Sequence, residues 1–222
     1  MSEYICTENK FLNDVKYHQI DIIHDDKNMR FVRFRKENTR VFWFDLVTWP
    51  GHLCISGDCG TYVFSRIPDM FGFFRMDKGD FNFNKDNELN INPDYWGEKL
   101  QSISTNSGYK EFDEKVFRER VKYHFDTYMA DDAEDKGVKE ELWNAIENEV
   151  LSFIYDGEHE AYSRIHNFSY ESLNGENYRF IDFFDSGSTE SYTYNYIWCL
   201  YAVVWGIKKY DEAINKLNAI SN

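Results

Sequence analysis

Several residue types and signals are scarce in this sequence, and each scarcity excludes a class of protein. The 222 residues include three prolines, which argues against long extended linkers. No apolar run reaches the roughly 18 residues that a membrane-spanning helix needs, and no secretory signal opens the chain. No pair of the four cysteines has the CxxC spacing. The sequence therefore predicts a cytosolic protein without membrane contact.

The four cysteines are Cys6, Cys54, Cys59 and Cys199. In a reducing compartment we expect them to act as small core residues with free thiols. A disulfide between Cys54 and Cys59, across the hairpin that they flank, is the alternative.

Sequence motifs of the familiar enzyme classes are also missing. There is no G-x-S-x-G, no Walker-type glycine loop, no H-E-x-x-H and no dinucleotide-binding fingerprint. This argues against the common hydrolases, NTPases and dehydrogenases, and leaves an unfamiliar enzyme open. We assign no catalytic residue, no metal ligand and no cofactor.

A surplus of positive charge is lacking as well. The net charge is −14, and its placement is uneven. Residues 1–75 carry 10 basic and 10 acidic side chains, whereas residues 76–222 carry 15 and 29. Because phosphate contacts need cationic surface, we expect no direct binding of nucleic acid. The charge favours association with a basic partner, or serves only for solubility.

Aromatic residues are abundant: 19 Phe, 16 Tyr and 6 Trp make up 18% of the chain and predict a core built on rings. The densest segment is 43–66, which reads as three strands joined by turns at Trp49-Pro50-Gly51 and at 57–60. With two earlier runs it predicts an antiparallel meander of about five strands, at 18–24, 29–36, 40–48, 52–56 and 61–65.

Helical periodicity dominates the second half of the chain. It predicts helices at 95–104, 112–128, 138–155, 159–168 and 192–217, in addition to short helices at 8–16 and 67–75. Residues 76–94 are predicted as a loop, and 178–184 as a strand or a loop. The fold class is therefore α+β in a single domain over 1–222. A β-rich half (1–75) packs against a mostly helical half (95–222), and the apolar C-terminal helix is buried.

Several blocks resemble a family of uncharacterised phage and prophage accessory proteins. They are Phe42–Gly51 (FWFDLVTWPG), Ser56–Arg66 (SGDCGTYVFSR), Tyr95–Leu100 (YWGEKL) and Trp198–Ile207 (WCLYAVVWGI). Cys59 departs from the family pattern, in which we expect Met. The resemblance implies a phage protein that acts in the bacterial cytoplasm, and it transfers no catalytic residue.

Two surfaces are candidate binding sites. The first is a cationic hairpin in which guanidinium groups alternate with rings, as in sites for phosphate or nucleotide. Its candidate residues are Arg30, Arg33, Arg35, Arg40 and Trp43. The second is an acidic surface made by Asp131, Asp132, Glu134, Asp135, Glu140 and Glu141, which imitates phosphates and could occupy a basic groove. Either surface is alternatively an ordinary solvated one.

Two smaller constellations have simpler explanations. His24, Asp25 and Asp26 are metal-ligand types, but alternate side chains of a strand diverge, so a turn with exposed carboxylates is expected. His52 and Cys54 share a strand face, and a nucleophilic pair would need a hydrogen bond between them.

The function expected from these features is a phage-encoded, non-enzymatic inhibitor that binds a host protein. The expected target is a component of antiviral defence, such as CRISPR-Cas or another immune system. The alternative is a binder or hydrolase of a nucleotide immune signal that uses the hairpin from Arg30 to Arg40, and a virion component is a third possibility. A homo-oligomer remains open.

Overall fold

The computed structural model describes residues 6–76, 88–105, 108–130, 136–173, 175–185 and 187–221. The chain divides into two compact units. Unit 1 comprises Met1–Tyr109 and Tyr192–Asn222, and unit 2 comprises Lys110–Ser191. Each unit has an apolar cluster of its own. The single domain expected from the sequence stays a prediction.

The elements follow one another in chain order. Unit 1 begins with α1 (Glu8–Val15), β1 (Gln19–Asp26), β2 (Met29–Arg35), β3 (Phe44–Trp49), β4 (His52–Gly57), β5 (Gly60–Ser65), α2 (Met70–Met76), α3 (Pro93–Gly97) and β6 (Leu100–Ile103). Unit 2 contributes β7 (Lys110–Phe112), α4 (Glu114–His124), a π-helical turn (Phe125–Met129), α5 (Lys136–Glu149), a 3-10 helix (Leu151–Asp156), α6 (Glu158–Asn167), β8 (Tyr170–Glu171) and β9 (Asn177–Tyr178). The chain returns to unit 1 through β10 (Glu190–Tyr192) and ends in α7 (Tyr194–Ser221).

Unit 1 is built on a six-stranded antiparallel sheet in the order β1-β2-β3-β4-β5-β6. The α+β fold class, the N-terminal meander and the helical C-terminal half are confirmed. Strand β3 begins at Phe44 rather than at residue 40, because the chain still turns at Asn38 and Phe42, where φ is +59° and +57°.

The predicted helix at 95–104 is wrong beyond its first turn. Helix α3 ends at Gly97, and residues Leu100–Ile103 form β6, the edge strand beside β5. The main chain of Lys99 already accepts a hydrogen bond from Ser65 N at 3.0 Å. Pairing with β5, which lies far away in the sequence, therefore overrides the local preference of these residues for a helix.

Helix α7 fills the inner face of the sheet, as its apolar sequence predicts. Residues 196–203 are buried in the unit 1 cluster. Trp198 contacts Phe44 edge to face at 5.7 Å between ring centroids, and Trp205 contacts Phe34 at 5.5 Å. The helix also comes close to the sheet at Gly206, where a Cβ would lie 2.8 Å from Leu46 Cδ1.

Two shorter helices complete the unit 1 core. The Thr7 hydroxyl caps α1 by accepting a hydrogen bond from Lys10 N at 3.3 Å. Phe11 of α1 and Phe71 of α2 are fully buried in the same cluster. The apolar side chains of β2 to β5 that point to this side are therefore covered by helices.

Unit 2 is mainly helical, and the predicted helices at 112–128 and 159–168 are present. The helix predicted at 138–155 is interrupted at Val150, between α5 and the 3-10 helix. The cluster of unit 2 is centred on Phe117, Leu142, Ile146, Ile154 and Ile165. The short strands β7 and β10 pair with each other. Of the predicted segment 178–184, Tyr178 belongs to β9 and the rest is a loop packed by rings.

Within the part of the chain that the structure describes, no helix combines the length and the apolar character that crossing a bilayer requires.

Candidate functional site

The structure separates the residues of the predicted cationic hairpin, because alternate side chains of β2 point to opposite faces of the sheet. Arg30 points inward and is only 9% exposed. Its Nη1 donates to Asp69 Oδ1 at 2.8 Å, and its guanidinium lies over the Phe71 ring at 4.8 Å. Burial alone would lower the pKa of Arg30, but hydrogen bonds with Tyr210 and Asp69 raise it above its ordinary value.

Arg30 belongs to a network of polar contacts that joins four elements, β1, β2, α2 and α7. Tyr210 of α7 donates to Asp25 Oδ2 at 2.9 Å. Arg75 of α2 donates twice to Asp211 of α7, at 2.9 and 2.6 Å. Since these charges satisfy one another inside unit 1, Arg30 has an architectural role in the fold.

Arg33 points to the opposite, outer face of the sheet. It makes a two-pronged ion pair with Asp45 on the neighbouring strand, at 2.9 and 2.8 Å. Its guanidinium also lies 5.4 Å from the ring centroid of Phe31 and 5.9 Å from that of Trp43. The bond to Asp45 raises the pKa of Arg33. Arg33 and Trp43 are thus together, as the hairpin hypothesis requires, but the charge of Arg33 is paired.

The last two candidates of the hairpin lie towards the β1 side of the sheet, where Arg35 shares the outward direction of Arg33. Arg35 and Arg40 line an open polar cavity of about 750 Å³. The carboxylates of Asp21 and Glu37 line the same cavity, so its charge is mixed. The five candidate residues are therefore divided among the core, the outer face and this cavity.

The outer face of the sheet carries a continuous band of apolar side chains across four strands, here called the apolar row. Strand register places them side by side: Phe31, Val47, Cys54 and Val63. Each is half-buried, while their inward neighbours Val32, Leu46 and Leu53 are fully buried. The row is thus apolar surface that none of the described helices of unit 1 covers.

Polar and aromatic side chains border the apolar row on its two sides. On one side the cross-strand sequence is Asp21, Arg33, Asp45, Ser56 and Thr61, here called the polar row. On the other side the Trp49 ring stacks on His52 with centroids 5.0 Å apart. An apolar centre with hydrogen-bonding edges is the usual composition of a protein-binding surface.

The geometry of His52 and Cys54 does not support nucleophilic catalysis. His52 Nδ1 lies 3.3 Å from the Pro50 carbonyl oxygen, and among the hydrogen bonds of the described residues none joins it to Cys54. Burial raises the pKa of Cys54, with a smaller contribution from Asp45, so the thiol form is favoured. Cys54 here is part of the apolar surface.

All four cysteines are free thiols, and the alternative disulfide between Cys54 and Cys59 is absent. Burial raises the pKa of Cys6 and of Cys59 to about 12, and that of Cys199 well above its ordinary value. These three buried thiols are inert packing residues, as expected from the sequence.

Metal binding at His24, Asp25 and Asp26 has no support. Strand β1 continues through these residues, and Asp25 is engaged by Tyr210. Among the residues with described positions, no group of three or more His, Cys, Asp or Glu side chains could hold a metal ion.

The structure describes two of the six residues of the predicted acidic surface. Asp131, Asp132, Glu134 and Asp135 lie outside the described residues. Glu140 and Glu141 are exposed on α5, and Glu141 accepts a hydrogen bond from the Tyr170 hydroxyl at 3.0 Å. Unit 2 contains 21 acidic and 9 basic residues, so it carries −12 of the net charge.

Unit 2 also has a cavity of about 560 Å³ that sequence reasoning missed. It lies where α4 changes into the π-helical turn, a feature often found at functional sites. His124 lines it, and His124 Nε2 donates to the Ile181 carbonyl at 2.9 Å. His124 Nδ1 is buried and has no hydrogen-bond partner among the described residues. A single histidine in an amphipathic pattern gives no signal for such a place.

The likeness to phage accessory proteins stays a prediction that rests on the quoted blocks. In the comparisons with known proteins, no family model matches the chain, and neither a curated protein nor a solved structure does.

Proposed function

We propose that this chain is a non-enzymatic binding protein that docks a partner protein on the outer face of its sheet. The observation that carries the proposal is the apolar row of Phe31, Val47, Cys54 and Val63, half-buried across four adjacent strands. Contiguous apolar surface with a polar border marks interaction sites more often than it occurs by accident.

The chemistry of this face favours a protein partner. It is a broad sheet surface with an apolar centre, whereas a small molecule is usually held in a concave pocket. Nucleic acid is disfavoured because the chain has a net charge of −14 and because Asp45 neutralises Arg33. The partner should present an apolar centre, and a basic surround would add electrostatic steering towards unit 2.

The biological setting is part of the proposal. The quoted blocks support a phage origin, and the missing enzyme motifs and the acidic charge support an inhibitor that works by binding. We propose that it acts in the host cytoplasm on a bacterial antiviral-defence protein, such as a component of CRISPR-Cas or of another immune system.

The test replaces two valines of the apolar row, Val47→Lys and Val63→Lys together. Their side chains point away from the buried core, so we expect the fold to survive with a loss of about 1–2 kcal/mol. Partners are captured from host lysate with the wild type, identified, purified and titrated calorimetrically. The double variant should raise the dissociation constant by about 100-fold or more, which corresponds to a loss of about 2.8 kcal/mol of binding free energy.

A charge-matched control separates docking from long-range electrostatics. Glu140→Gln with Glu141→Gln also raises the net charge by two, but changes the exposed surface of α5. We expect this control to bind within a few-fold of the wild type. If the control loses the partner and the valine variant keeps it, the acidic surface is the docking site and the proposal for the sheet fails.

A nucleotide site is the second candidate, since Arg35 and Arg40 both line the cavity of about 750 Å³. Guanidinium groups recognise phosphates in a bidentate manner. Thermal-shift measurements with mononucleotides and cyclic dinucleotides, on the wild type and on Arg35→Gln with Arg40→Gln, test it. A ligand at 100 times its dissociation constant stabilises by about 2.7 kcal/mol, and the absence of any shift at millimolar ligand excludes this site.

A further inference from the structure

The cavity of unit 2 has the form of a ligand site, and the docking proposed for the sheet of unit 1 does not use it. Its volume of about 560 Å³ falls within the range of about 300–1,000 Å³ that small-molecule sites occupy. Three of its lining residues, His124, Met129 and Tyr178, are buried and form its floor. Exposed polar residues, among them Asp182 and Asp185, form its rim. A concave site with an aromatic floor and a few polar groups is the usual composition of a small-ligand site.

The backbone departs from regular structure on two sides of this cavity. Residues 127–129 line it and belong to the π-helical turn, which the hydrogen bond from Ala130 N to Phe125 O closes at 2.8 Å. On the other side Asp182 has a φ of +52°, in the left-handed region that few residues other than glycine adopt. Both kinds of irregularity are concentrated at functional sites.

Two carboxylates at the rim carry charge that nothing described neutralises. Asp182 and Asp185 belong to one turn, in which Asp185 N donates to the Asp182 carbonyl at 3.1 Å. Among the contacts of the described residues, neither carboxylate has a partner. Arg179 also lines the cavity, but its Nε donates to Asn177 Oδ1 at 3.1 Å. Since unit 2 carries −12 of the net charge, the field at this rim favours a cation.

An unpaired hydrogen-bond acceptor lies in the floor of the cavity. His124 is only 3% exposed, and its Nε2 donates to the Ile181 carbonyl, so Nδ1 of the neutral ring has no proton and can only accept. Nδ1 is buried and has no donor among the described residues. Buried polar atoms are nearly always hydrogen-bonded, and leaving one unpaired costs free energy. A ligand that brings an N–H group to this floor satisfies the atom, whereas a ligand with acceptors alone does not.

We infer that this cavity binds an organic cation, a guanidinium or ammonium group on a short apolar stem. Its charge pairs with Asp182 and Asp185, and an N–H group donates to His124 Nδ1. The ring of Tyr128, 50% exposed and also part of the lining, supplies a face for cation–π contact. The cation comes either from a free amine or from an arginine or lysine side chain of a protein.

Isothermal titration of the full chain at about 50 mM salt tests the site with two probes. Agmatine represents a free cation, and arginine blocked at both ends represents a side chain within a protein. We expect dissociation constants of about 0.1–1 mM for the better probe. Asp182→Asn with Asp185→Asn should weaken binding by about tenfold or more. The fold should persist, because asparagine has the same shape as aspartate and tolerates the left-handed conformation.

Two further variants separate this site from unspecific attraction to acidic surface. Glu140→Gln with Glu141→Gln removes the same charge from exposed positions on α5 and should leave affinity within about twofold. Arg179→Gln should tighten binding, because it removes a positive charge beside the cation. Amide chemical-shift changes on titration should fall at residues 124–129 and 177–185.

The relative affinity of the two probes identifies the source of the cation. Blocked arginine that binds as tightly as agmatine supports a protein side chain, and a clear preference for agmatine supports a free amine. The inference is overturned if neither probe binds at about 10 mM. It is equally overturned if the α5 control weakens binding as much as the Asp182 and Asp185 variant, or if Arg179→Gln weakens binding, which would indicate an anionic ligand.

Discussion

At the scale of single residues, the imidazole of His18 makes the folded state of unit 1 less stable in acid. His18 Nε2 donates to the Phe42 carbonyl at 2.9 Å, and His18 Nδ1 is buried without a partner among the described residues. Burial lowers the pKa of His18 below its ordinary 6.5, and the bond to Phe42 opposes this only in part. The unfolded chain therefore takes up the proton more readily. Stability is full above about pH 6.5 and falls as the pH drops towards the folded pKa.

We predict that His18→Gln makes the stability of the protein less sensitive to acid. The glutamine Nε2 can still donate to Phe42, but it does not titrate. Urea midpoints measured from about pH 7 to 5 should fall less steeply in the variant than in the wild type. His166→Gln, at an exposed position on α6, is the control and should leave the slope as it is. Equal slopes for His18→Gln and the wild type would contradict the prediction.

Thiol accessibility distinguishes the outer face of the sheet from the core. Cys54 is half-buried on the outer face, whereas Cys6, Cys59 and Cys199 are buried. We predict that a disulfide reagent modifies Cys54 alone in the native protein, slowly because burial raises its pKa. All four thiols should react in denaturant. Mass spectrometry identifies the site, and Cys54→Ser should remove the native reaction. Native labelling of Cys199 would show that the core opens readily.

At the scale of elements, the contact between α7 and the sheet depends on a glycine. A Cβ at Gly206 would lie 2.8 Å from Leu46 Cδ1 and 3.2 Å from the Phe34 ring, and both neighbours are fully buried. In an exposed helix, Gly→Ala would gain about 1 kcal/mol of helix propensity. Overpacking of a close-packed core costs about 1–3 kcal/mol. Because both neighbours are fully buried in the close-packed core, we expect the packing cost to exceed the gain in helix propensity.

We therefore predict that Gly206→Ala destabilises the protein by about 1 kcal/mol and that Gly206→Leu does so by more. Chemical denaturation of both variants measures this. Gly137→Ala, at an exposed position near the start of α5, is the matched control and should be neutral or stabilising. A stabilised Gly206→Ala would mean that Leu46 and Phe34 can shift.

Local pattern predicted the elements of this fold better than it predicted the candidate site. The strand pattern at 29–36 correctly predicted β2, and the apolar run of α7 correctly indicated a buried helix. Strand β6 was missed because its pairing with β5 depends on residues far away in the chain. The pairing of Arg30 with Asp69 could not be predicted, since alternation along the strand does not reveal that Asp69 lies beside it.

The apolar row illustrates the same limit more sharply. Val47, Cys54 and Val63 are ordinary strand residues in the sequence. They become one surface only through the register of two hairpins, β3-β4 and β4-β5. A site made by register is invisible to motif searches, in contrast to a loop motif whose residues are neighbours in the chain.

At the scale of the whole molecule, the two units differ in net charge, and each has an apolar core of its own. Unit 2 has 21 acidic and 9 basic residues, whereas unit 1 has 18 and 16 and is nearly neutral. The apolar cluster of unit 1 contains side chains from its own two segments only, and so does the cluster of unit 2. The chain thus joins a nearly neutral unit built on a sheet to an acidic helical unit.

This division predicts that unit 1 folds without unit 2. Where the chain leaves and re-enters unit 1, Thr193 N donates to the Tyr109 carbonyl at 3.1 Å, and the Thr193 hydroxyl donates to the Gly108 carbonyl at 2.8 Å. The two ends of unit 1 are therefore adjacent, and a short Gly-Ser linker can replace residues 110–191 with little entropic cost. The shortened protein should melt cooperatively and show native protection of the sheet amides in hydrogen exchange.

The same shortened protein separates the contributions of the two units to binding. It keeps the apolar row and loses −12 of the charge, so we expect the dissociation rate of the partner to change little. The association rate should fall, and its dependence on salt should weaken, because steering acts on encounter rather than on the docked complex. Surface plasmon resonance at two ionic strengths measures both rates. A large rise in the dissociation rate of a folded shortened protein would place the docking contacts in unit 2 instead of on the sheet.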